Sequence, residues 1–520
     1  MPLMTGVKPQ SPDLVEIGCR AEDAHAGLAR KSHKRRCIGA LDRSKLLCCN
    51  DLAQARGTPR CPHSVGPNSS SLHRSRDARW WPRSQGGAIT SDAGALLLGA
   101  TDRAIGLVER FTACFQDARD PDLIAHELST LIGQRVFGIA LGYEDLVDHD
   151  QLRRDPVLAV LAGKLTARRS DCAPLAGNST LNRLEHAPSG EPARYHRIGH
   201  DGAAIARVFV DLFLDAHTRP PKQIILDLDA TDDPIHGHQE GRFFHGYYDC
   251  YCYLPLYIFC GRHLLAATLR RSNIDASAGA VEEVARLVGQ IRARWPRVRI
   301  LLRADSGFAR EALMAWCEHN RVDFVFGLAR NPRLVEEIAV ELIQAEDEAE
   351  RTGQPARRYK DFRWSTLDSW SRRRRVIAKA EWTGGEANPR FIVTSLKPSE
   401  VTARHLYEEV YCARGAMENR IKECQGDLFA DRTSAATMRA NQLRLWFASM
   451  AYVLICALRR IGLDHTQFAV ATCGTIRLKL LKIGALVRTS VRRVTVAMAS
   501  AFPHQSEFAL AHVRLAAERR

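Results

Sequence analysis

The fold of this chain is decided by the stretch KQIILDLD, residues Lys222–Asp229. Its residues Ile224–Leu228 are apolar except for Asp227, which is typical of a buried strand. The next strand-like segments, Tyr247–Cys260 and His263–Arg271, are rich in aromatic and β-branched residues and flank Gly261, so they predict a β-hairpin. These segments together predict the antiparallel part of a sheet.

The segments that follow alternate between helix and strand. An amphipathic helix is predicted over Ala280–Trp295, a strand over Val298–Asp305, a helix over Phe308–Asn320 and a strand over Val322–Leu328. Strands that first pair antiparallel and then alternate with helices indicate an α+β fold with a mixed sheet. The predicted fold is therefore a ribonuclease H-like core.

The composition favours a polyanionic partner. The chain has 520 residues, a formal net charge of +15 and a pI near 9.3. Lys and Arg side chains at phosphates release condensed counterions, so this excess suits nucleic acid, and a merely soluble basic protein is the alternative. The 15 cysteines include no Cys-x-x-Cys pair and no secretory signal is visible, which predicts reduced thiols and a cytoplasmic, nucleoid-associated protein. The apolar stretch Leu445–Leu458 is short for a membrane span, so a buried helix and no membrane partner are expected.

Segments around the core divide the chain further. Residues 84–215 carry apolar residues at helical spacing and basic pairs such as Arg153-Arg154, and Ser91 or Asp92 would cap the first helix. This helical domain suits binding of a DNA end, and a bundle that only packs is the alternative. The other predicted parts are an N-terminal extension that is disordered or foreign to the fold (1–83), the first part of the core (222–329), an inserted β-rich lobe (330–400), core helices (401–465) and a basic C-terminal tail (466–520).

Three carboxylates lie where structural elements would present them to one site. Asp229 and Asp305 end predicted strands, and Glu418 lies in the helix-forming stretch Glu408–Asp427. Oxygen ligands of high charge density suit a hard cation, and a pair of such ions can activate an attacking oxygen while stabilising the leaving one. These residues predict a catalytic site for two Mg²⁺ ions, with Mn²⁺ as a substitute, and nucleic acid is the first substrate they suggest.

Asp227 competes with Asp229 for the first of these positions. Side chains alternate along a strand, so both residues face the same side. Asp229 is preferred because it is the later residue at the carboxyl end of the strand and precedes Thr231 in an Asp-x-Thr pattern. Asp232 and Asp233 are expected to be loop charges.

The most specific pattern is Tyr411-x2-Arg414-x3-Glu418. At about 100° per residue these positions share one helix face, and Lys422 joins them. The Arg414 guanidinium would hold the Glu418 carboxylate in place as an i,i+4 pair, while Tyr411 and Lys422 would donate to phosphate oxygens. A solvated helix with one salt bridge is the alternative.

Two further groups of side chains allow more than one assignment. His236, His238 and His245 suggest a zinc hydrolase, but with Arg242 they stand in a glycine-rich segment that better suits contact with DNA. The tryptophans of the predicted insertion suit the core of a small lobe or stacking on an unpaired base; they are Trp364, Trp370 and Trp382.

Taken together, these patterns resemble the DDE transposases of bacterial insertion sequences, in particular the group with a Tyr-Arg-Glu helix and a β-rich insertion before the glutamate. The resemblance spans roughly residues 84–500 and depends on four segments, Gly86–Gly94, Leu226–Thr231, Arg303–Phe308 and Tyr411–Glu423.

The resemblance implies that Asp229, Asp305 and Glu418 form the metal triad of an enzyme that binds the terminal repeats of its element. It also implies Mg²⁺-dependent strand cleavage and strand transfer on double-stranded DNA by a homodimer. The family pattern has Lys two helical turns after the glutamate, where this chain has Gln425, so Lys422 or Gln425 takes over the phosphate contact. The alternatives are a decayed copy that binds DNA as a repressor, and a different nuclease of the same fold.

Overall fold

The computed structural model describes residues 87–164, 174–186, 194–490 and 493–518. The predicted N-terminal extension, residues 1–83, lies outside them. The first described segment, within residues 84–215, consists mostly of helices. Its elements are β1 (Ala88–Thr90), α1 (Leu96–Ile105), α2 (Leu107–Thr112), β2 (Phe115–Asp117), α3 (Leu128–Ala140), α4 (His149–Leu152), α5 (Pro156–Leu161), α6 (Asn178–Glu185), β3 (Ile198–His200) and α7 (Gly202–Asp215).

The predicted cap at Ser91 or Asp92 is wrong in its detail. Asp92 precedes a short 3₁₀ turn, and its side chain makes no capping hydrogen bond. Its buried carboxylate accepts a hydrogen bond from the Tyr143 hydroxyl at 2.8 Å and pairs with the Lys482 ammonium at 2.7 Å. A long-range ion pair competes more strongly for this carboxylate than the nearby amides do, because hydrogen bonds between charged groups are the stronger kind.

The central part of the chain follows the predicted order of strands and helices. Its elements are β4 (Gln223–Ala230), β5 (Asp233–Pro234), β6 (Phe243–His245), β7 (Cys250–Tyr253), β8 (Leu256–Cys260), β9 (His263–Thr268), α8 (Ala280–Arg294), β10 (Arg299–Ala304), α9 (Glu311–His319) and β11 (Asp323–Leu328). The predicted hairpin is formed by β8 and β9, whose turn places Gly261 at a φ of 57°, a conformation that glycine adopts without steric cost.

These strands form the ribonuclease H-like arrangement. Within the sheet the order is β9-β8-β4-β10-β11, in which β4, β8 and β9 pair antiparallel while β10 runs parallel to both β4 and β11. The helices α8 and α9 supply the crossovers that parallel neighbours require. The carboxyl ends of β4 and β10 consequently lie side by side.

The predicted insertion, residues 330–400, extends the same sheet. Its elements are α10 (Pro332–Glu337), α11 (Ala339–Thr352), β12 (Ala356–Trp364), β13 (Arg374–Thr383), β14 (Glu386–Ala387) and β15 (Arg390–Thr394). β15 pairs antiparallel with β11, β13 and β12 follow, and β14 pairs with β13, so the sheet has nine strands. The open edge of β11 offers unpaired backbone groups, which the inserted strands satisfy. Trp364 and Trp370 pack in the core of this sheet, whereas Trp382 stands near the end of β13.

The last part of the chain returns to helices and closes on the first strand. Its elements are α12 (Ala403–His405), α13 (Gly415–Lys422), α14 (Met438–Ile461), α15 (Cys473–Ile476), β16 (Ala485–Thr489), β17 (Val494–Met498) and α16 (Gln505–Ala517). β16 pairs with both β1 and β17, so the predicted basic tail, in its described residues, contains a strand pair between α15 and α16. The apolar stretch of α14 is 78% buried and forms the core against α1 and α3, as predicted for a buried helix.

Candidate active site

Because side chains alternate along β4 and β10, each strand has one face that packs in the core and an opposite face that carries its charged residues. The even-numbered residues pack in the core with α8 and α9: Ile224, Leu226, Leu228, Ile300, Leu302 and Ala304. The odd-numbered residues face the opposite side. In the parallel register Arg303 lies beside Asp227, and Ala304 lies beside Leu228. The next residue on each strand is Asp305 and Asp229, so continuing the register brings these two residues side by side.

Asp227 is occupied by a buried ion pair. Its two carboxylate oxygens accept hydrogen bonds from Nε and Nη2 of Arg303 at 2.5 and 2.9 Å, and the residue is 2% exposed. Arg303 also donates from Nη1 to the Val410 carbonyl, in the helical segment that leads to Glu418. The pair therefore ties β4, β10 and that segment together and leaves Asp227 engaged.

Arg414 links two of the predicted catalytic carboxylates. Its Nη2 lies 2.8 Å from Oδ1 of Asp229, and its Nη1 lies 3.5 Å from Oε1 of Glu418. Burial raises the pKa of Asp229 to about 7; Arg414 opposes the rise, while Asp305 and Glu418 add to it. The three carboxylates therefore act on one another electrostatically, and the guanidinium offsets their repulsion.

Asp305 and Glu418 differ in how firmly they are held. Oδ1 of Asp305 accepts a hydrogen bond from the Gly307 amide at 2.9 Å, which caps the turn after β10. The side chain of Glu418 is 54% exposed, and its contact with Arg414 is the longer of the two ion pairs of that guanidinium. Glu418 is thus the member of the set with most freedom to move.

The segment that carries Glu418 is not a uniform α-helix. Leu406–Tyr411 forms π turns, Cys412–Arg414 a 3₁₀ turn, α13 a regular helix and Glu423–Asp427 π turns again. A 3₁₀ helix turns about 120° per residue and π turns are wider than α turns, so a constant 100° does not describe the stretch. Such interruptions are frequent at functional sites.

Lys422 follows Glu418 by one turn of α13, and Gln425 lies in the π turns that come next. Lys422 is exposed and lines a separate cleft with Arg262 and Arg420. The Gln425 amide donates to the Asp232 carbonyl at 3.1 Å and to Oδ1 of Asp233 at 2.9 Å. Among the described residues, neither side chain forms a hydrogen bond or ion pair with the catalytic carboxylates.

Asp233 is not the loop charge that the sequence suggested. It is fully buried in β5, and its carboxyl group meets the Gln425 amide. Burial raises the pKa of Asp233 to about 8, although the hydrogen bond from Gln425 acts in the opposite direction. Gln425, two helical turns after Glu418, therefore has its hydrogen-bond partner inside the protein.

Sequence patterns did not indicate two residues of the site, Gly327 and Tyr248. A Cβ atom on Gly327 in β11 would lie 2.6 Å from the Tyr411 hydroxyl and 2.9 Å from the Ser306 amide, so only glycine allows Tyr411 to approach the turn after Asp305. A glycine inside a strand is a weak indication of such a close approach. Tyr248 donates to the Ala230 carbonyl at 3.4 Å, and burial together with Asp232 and Asp229 raises its pKa.

The carboxylates suit a hard divalent cation by their chemistry. Asp229, Asp305 and Glu418 supply only oxygen donors, and the Nε atom of Arg414 beside them is buried without a hydrogen-bond partner among the described residues. As their side chains are placed, no group of three or more His, Cys, Asp or Glu residues in the described ranges is arranged to hold a metal ion. Neither the triad nor the set of His236, His238 and His245 forms such a group.

The residues predicted to contact DNA lie in three separate places. His236 and His238 are exposed in the loop after β5, and Arg242 lies beside them, with Nη1 3.3 Å from the Nδ1 atom of His238. Trp382 is half-buried near the end of β13, and Arg153 and Arg154 follow α4 in the helical segment.

The chain resembles known transposases in two comparisons. The family model described as "Transposase DDE domain group 1" matches residues 78–520. The chain is also similar to the solved structure of a piggyBac transposase synaptic complex with hairpin DNA, at 12% identity over 75% of this chain and 80% of that chain, with a TM-score of 0.35. At this level of similarity the second match carries no inference about function. No curated protein sequence matches the chain.

Proposed function

Because the chain belongs to the DDE transposases, as its match over residues 78–520 shows, we propose that it cuts and joins the ends of a bacterial insertion sequence. The observation that supports this proposal is the position of Arg414, whose guanidinium lies 2.8 Å from Asp229 and 3.5 Å from Glu418, while the parallel register of β4 and β10 leads to Asp305 beside Asp229. Asp229 and Asp305 belong to the neighbouring parallel strands β4 and β10 and their ends, and Glu418 belongs to α13. We assign catalysis to these three residues.

The roles of the individual side chains follow from their contacts. Asp229, Asp305 and Glu418 would hold two Mg²⁺ ions, with Mn²⁺ as a substitute, and such ions activate the attacking oxygen and stabilise the leaving one when bound. Arg414 neutralises part of the carboxylate charge and keeps Asp229 and Glu418 facing each other. Tyr411, wedged against Gly327, supports the turn that carries Asp305.

A basic cleft in the helical segment supports binding of DNA ends. It encloses about 340 Å³ and is lined by Arg119, Arg183, Arg194 and Arg197 around Tyr195. The Arg183 and Arg194 guanidinium groups lie 5.5 and 5.2 Å from the Tyr195 ring centroid. Arginines gathered in this way suit phosphate contacts. Cutting two ends and joining them implies a homodimer on DNA, in the cytoplasm at the nucleoid.

The proposed function is tested with the intact chain and duplex DNA that carries the terminal repeats flanking its coding region. With Mg²⁺ we expect a nick at the repeat end that exposes a 3′-hydroxyl, followed by its joining to a second duplex; with EDTA we expect binding alone. Binding without any cleavage in Mg²⁺ or Mn²⁺ would support the decayed repressor instead. Cleavage that ignores the repeats would support a general nuclease.

Arg414 should contribute strongly to metal binding. In the variant Arg414→Ala we expect Mg²⁺-dependent cleavage to fall about 10–100-fold, because partners that orient metal ligands have effects of this size, and higher Mg²⁺ should restore part of it. The midpoint of Mg²⁺-induced thermal stabilisation should shift to higher concentration in parallel.

The chain offers a matched control in Arg404, which forms an exposed i,i+4 pair with Glu408. Arg404→Ala should leave cleavage and the Mg²⁺ response unchanged, since exposed pairs contribute little. If Arg414→Ala behaves like Arg404→Ala in both measurements, Arg414 does not position the ligands.

A further inference from the structure

Beside the candidate site lies a small sheet with exposed aromatic side chains. β7 pairs with β5 on one side and β6 on the other. We call residues 243–251, which span β6, the following turn and the start of β7, the aromatic ribbon. Phe243, Phe244, Tyr247 and Tyr251 are 36, 52, 73 and 43% exposed. Among the described residues only one other large aromatic side chain, Tyr195, is exposed. Exposed aromatic side chains concentrated in one short segment indicate a binding surface.

The ribbon adjoins the catalytic carboxylates. β5 starts at Asp233, shortly after Asp229, and the Tyr248 hydroxyl donates to the Ala230 carbonyl at 3.4 Å. Tyr248 is close enough to Asp229 and Asp305 for their charges to raise its pKa. A DNA strand that leaves the cleavage site would therefore pass the ribbon first.

The exposed rings stand on a well-anchored support. The Ser272 hydroxyl donates to the Phe243 carbonyl at 2.9 Å, and the Tyr253 hydroxyl donates to the Glu240 carbonyl. Gly241 has a φ of 74°, and a Cβ atom there would lie 3.1 Å from the sulfur of Met438 in α14. Since the support is hydrogen-bonded and packed, the rings stay exposed without collapsing onto the core.

The charges around the rings favour a polyanion. The Arg242 guanidinium lies 3.7 Å from the Tyr251 ring centroid, and the ring of Phe244 meets Tyr251 edge to face at 5.5 Å. The neighbouring acid Glu240 is engaged, because its Oε2 accepts a hydrogen bond from the Met438 amide. Asp249 is the acid of the turn itself and is exposed. Guanidinium groups over aromatic rings are a recurring feature of surfaces that bind single-stranded nucleic acid.

We infer that the aromatic ribbon stacks on unpaired bases of the DNA strand at the cut site, an inference that rests on the proposed function. Every base has a π face, so stacking on open rings suits any sequence, while Arg242 suits the adjoining phosphates. Fully paired DNA hides its base faces within the helix and gains nothing from these rings. The favoured ligand is accordingly a DNA end with a short unpaired tract.

The test compares binding of two DNA ends by the intact chain in EDTA. One is a full duplex, and the other carries an unpaired tract with 2-aminopurine. Tyr247→Leu and Phe244→Leu keep apolar bulk but remove the π face. We expect each to weaken binding of the unpaired tract about fivefold to a hundredfold and to abolish 2-aminopurine quenching, while duplex affinity stays within about twofold. Tyr247→Trp should retain both properties.

Leu367→Ala is the control, because Leu367 is 79% exposed in the inserted segment; it should change neither measurement. Unchanged binding of the unpaired tract by both leucine variants overturns the inference. The inference is also overturned if these variants shift from dimer to monomer and lose affinity equally for both DNAs. That result would make the ribbon a contact between copies of the chain. If only the proposed function is wrong, the wild-type chain would bind the unpaired tract through the ribbon but would not cut repeat ends in Mg²⁺.

Discussion

Alanine at Asp229, Asp305 or Glu418 should each abolish strand cleavage while binding of repeat ends stays near the wild-type level. Each replacement removes an oxygen donor at the junction of β4, β10 and α13 without removing a cationic DNA contact. The rate of end cleavage should fall by roughly 10³-fold or more, as is common when one member of a catalytic set is lost. Gel-shift titration and a cleavage time course on the same DNA measure the two quantities separately.

Glu409→Ala is the matched control, since Glu409 is exposed in the same interrupted helical segment. It should cut normally. Persisting Mg²⁺-dependent cleavage in one of the three variants would remove that residue from the site. A variant that loses binding and cleavage together would instead point to misfolding, which a melting curve would reveal.

Asp227→Ala should act through stability. It would leave the Arg303 guanidinium buried without its carboxylate, and removing one partner of a buried ion pair costs about 3–5 kcal/mol. The melting temperature and the yield of soluble protein should therefore fall strongly. The double variant Asp227→Leu/Arg303→Met should recover much of the loss, because an apolar pair of similar volume leaves no charge uncompensated.

The surface pair between Asp275 and Arg310 supplies the comparison, as its side chains are 47 and 50% exposed. Asp275→Ala should cost at most about 1 kcal/mol. If Asp227→Ala melts like the wild type but fails to cut DNA, Asp227 is the metal ligand and the roles of Asp227 and Asp229 are exchanged.

Local sequence patterns predicted most of the elements that build the site. The apolar run before Asp229 and the one before Asp305 form β4 and β10, and the hairpin around Gly261 forms as expected. These features follow from side-chain alternation and turn chemistry, which act over a few residues. The parallel register of β4 and β10 places the ends of these two strands side by side. That Asp229 and Asp305 share a catalytic site stays a prediction.

Edge pairing and close approach were not predictable in this way. The inserted strands join the core sheet because β11 has an open edge, which their own alternation does not reveal. The strand Ala356–Trp364 was missed because its residues are mostly polar and alternate weakly. Gly327 looks like any glycine until Tyr411 is placed against it.

Only the tertiary structure decided which charge faces which. Arg414 was expected to hold Glu418 one turn away, yet its shorter contact is with Asp229 on another element. Asp227 binds Arg303, 76 residues further along the chain, and Gln425 binds Asp233, 192 residues before it. Periodicity reports which face of its own element a residue occupies. The partner of a buried charge depends on which other element packs there, and desolvation then makes that pairing obligatory.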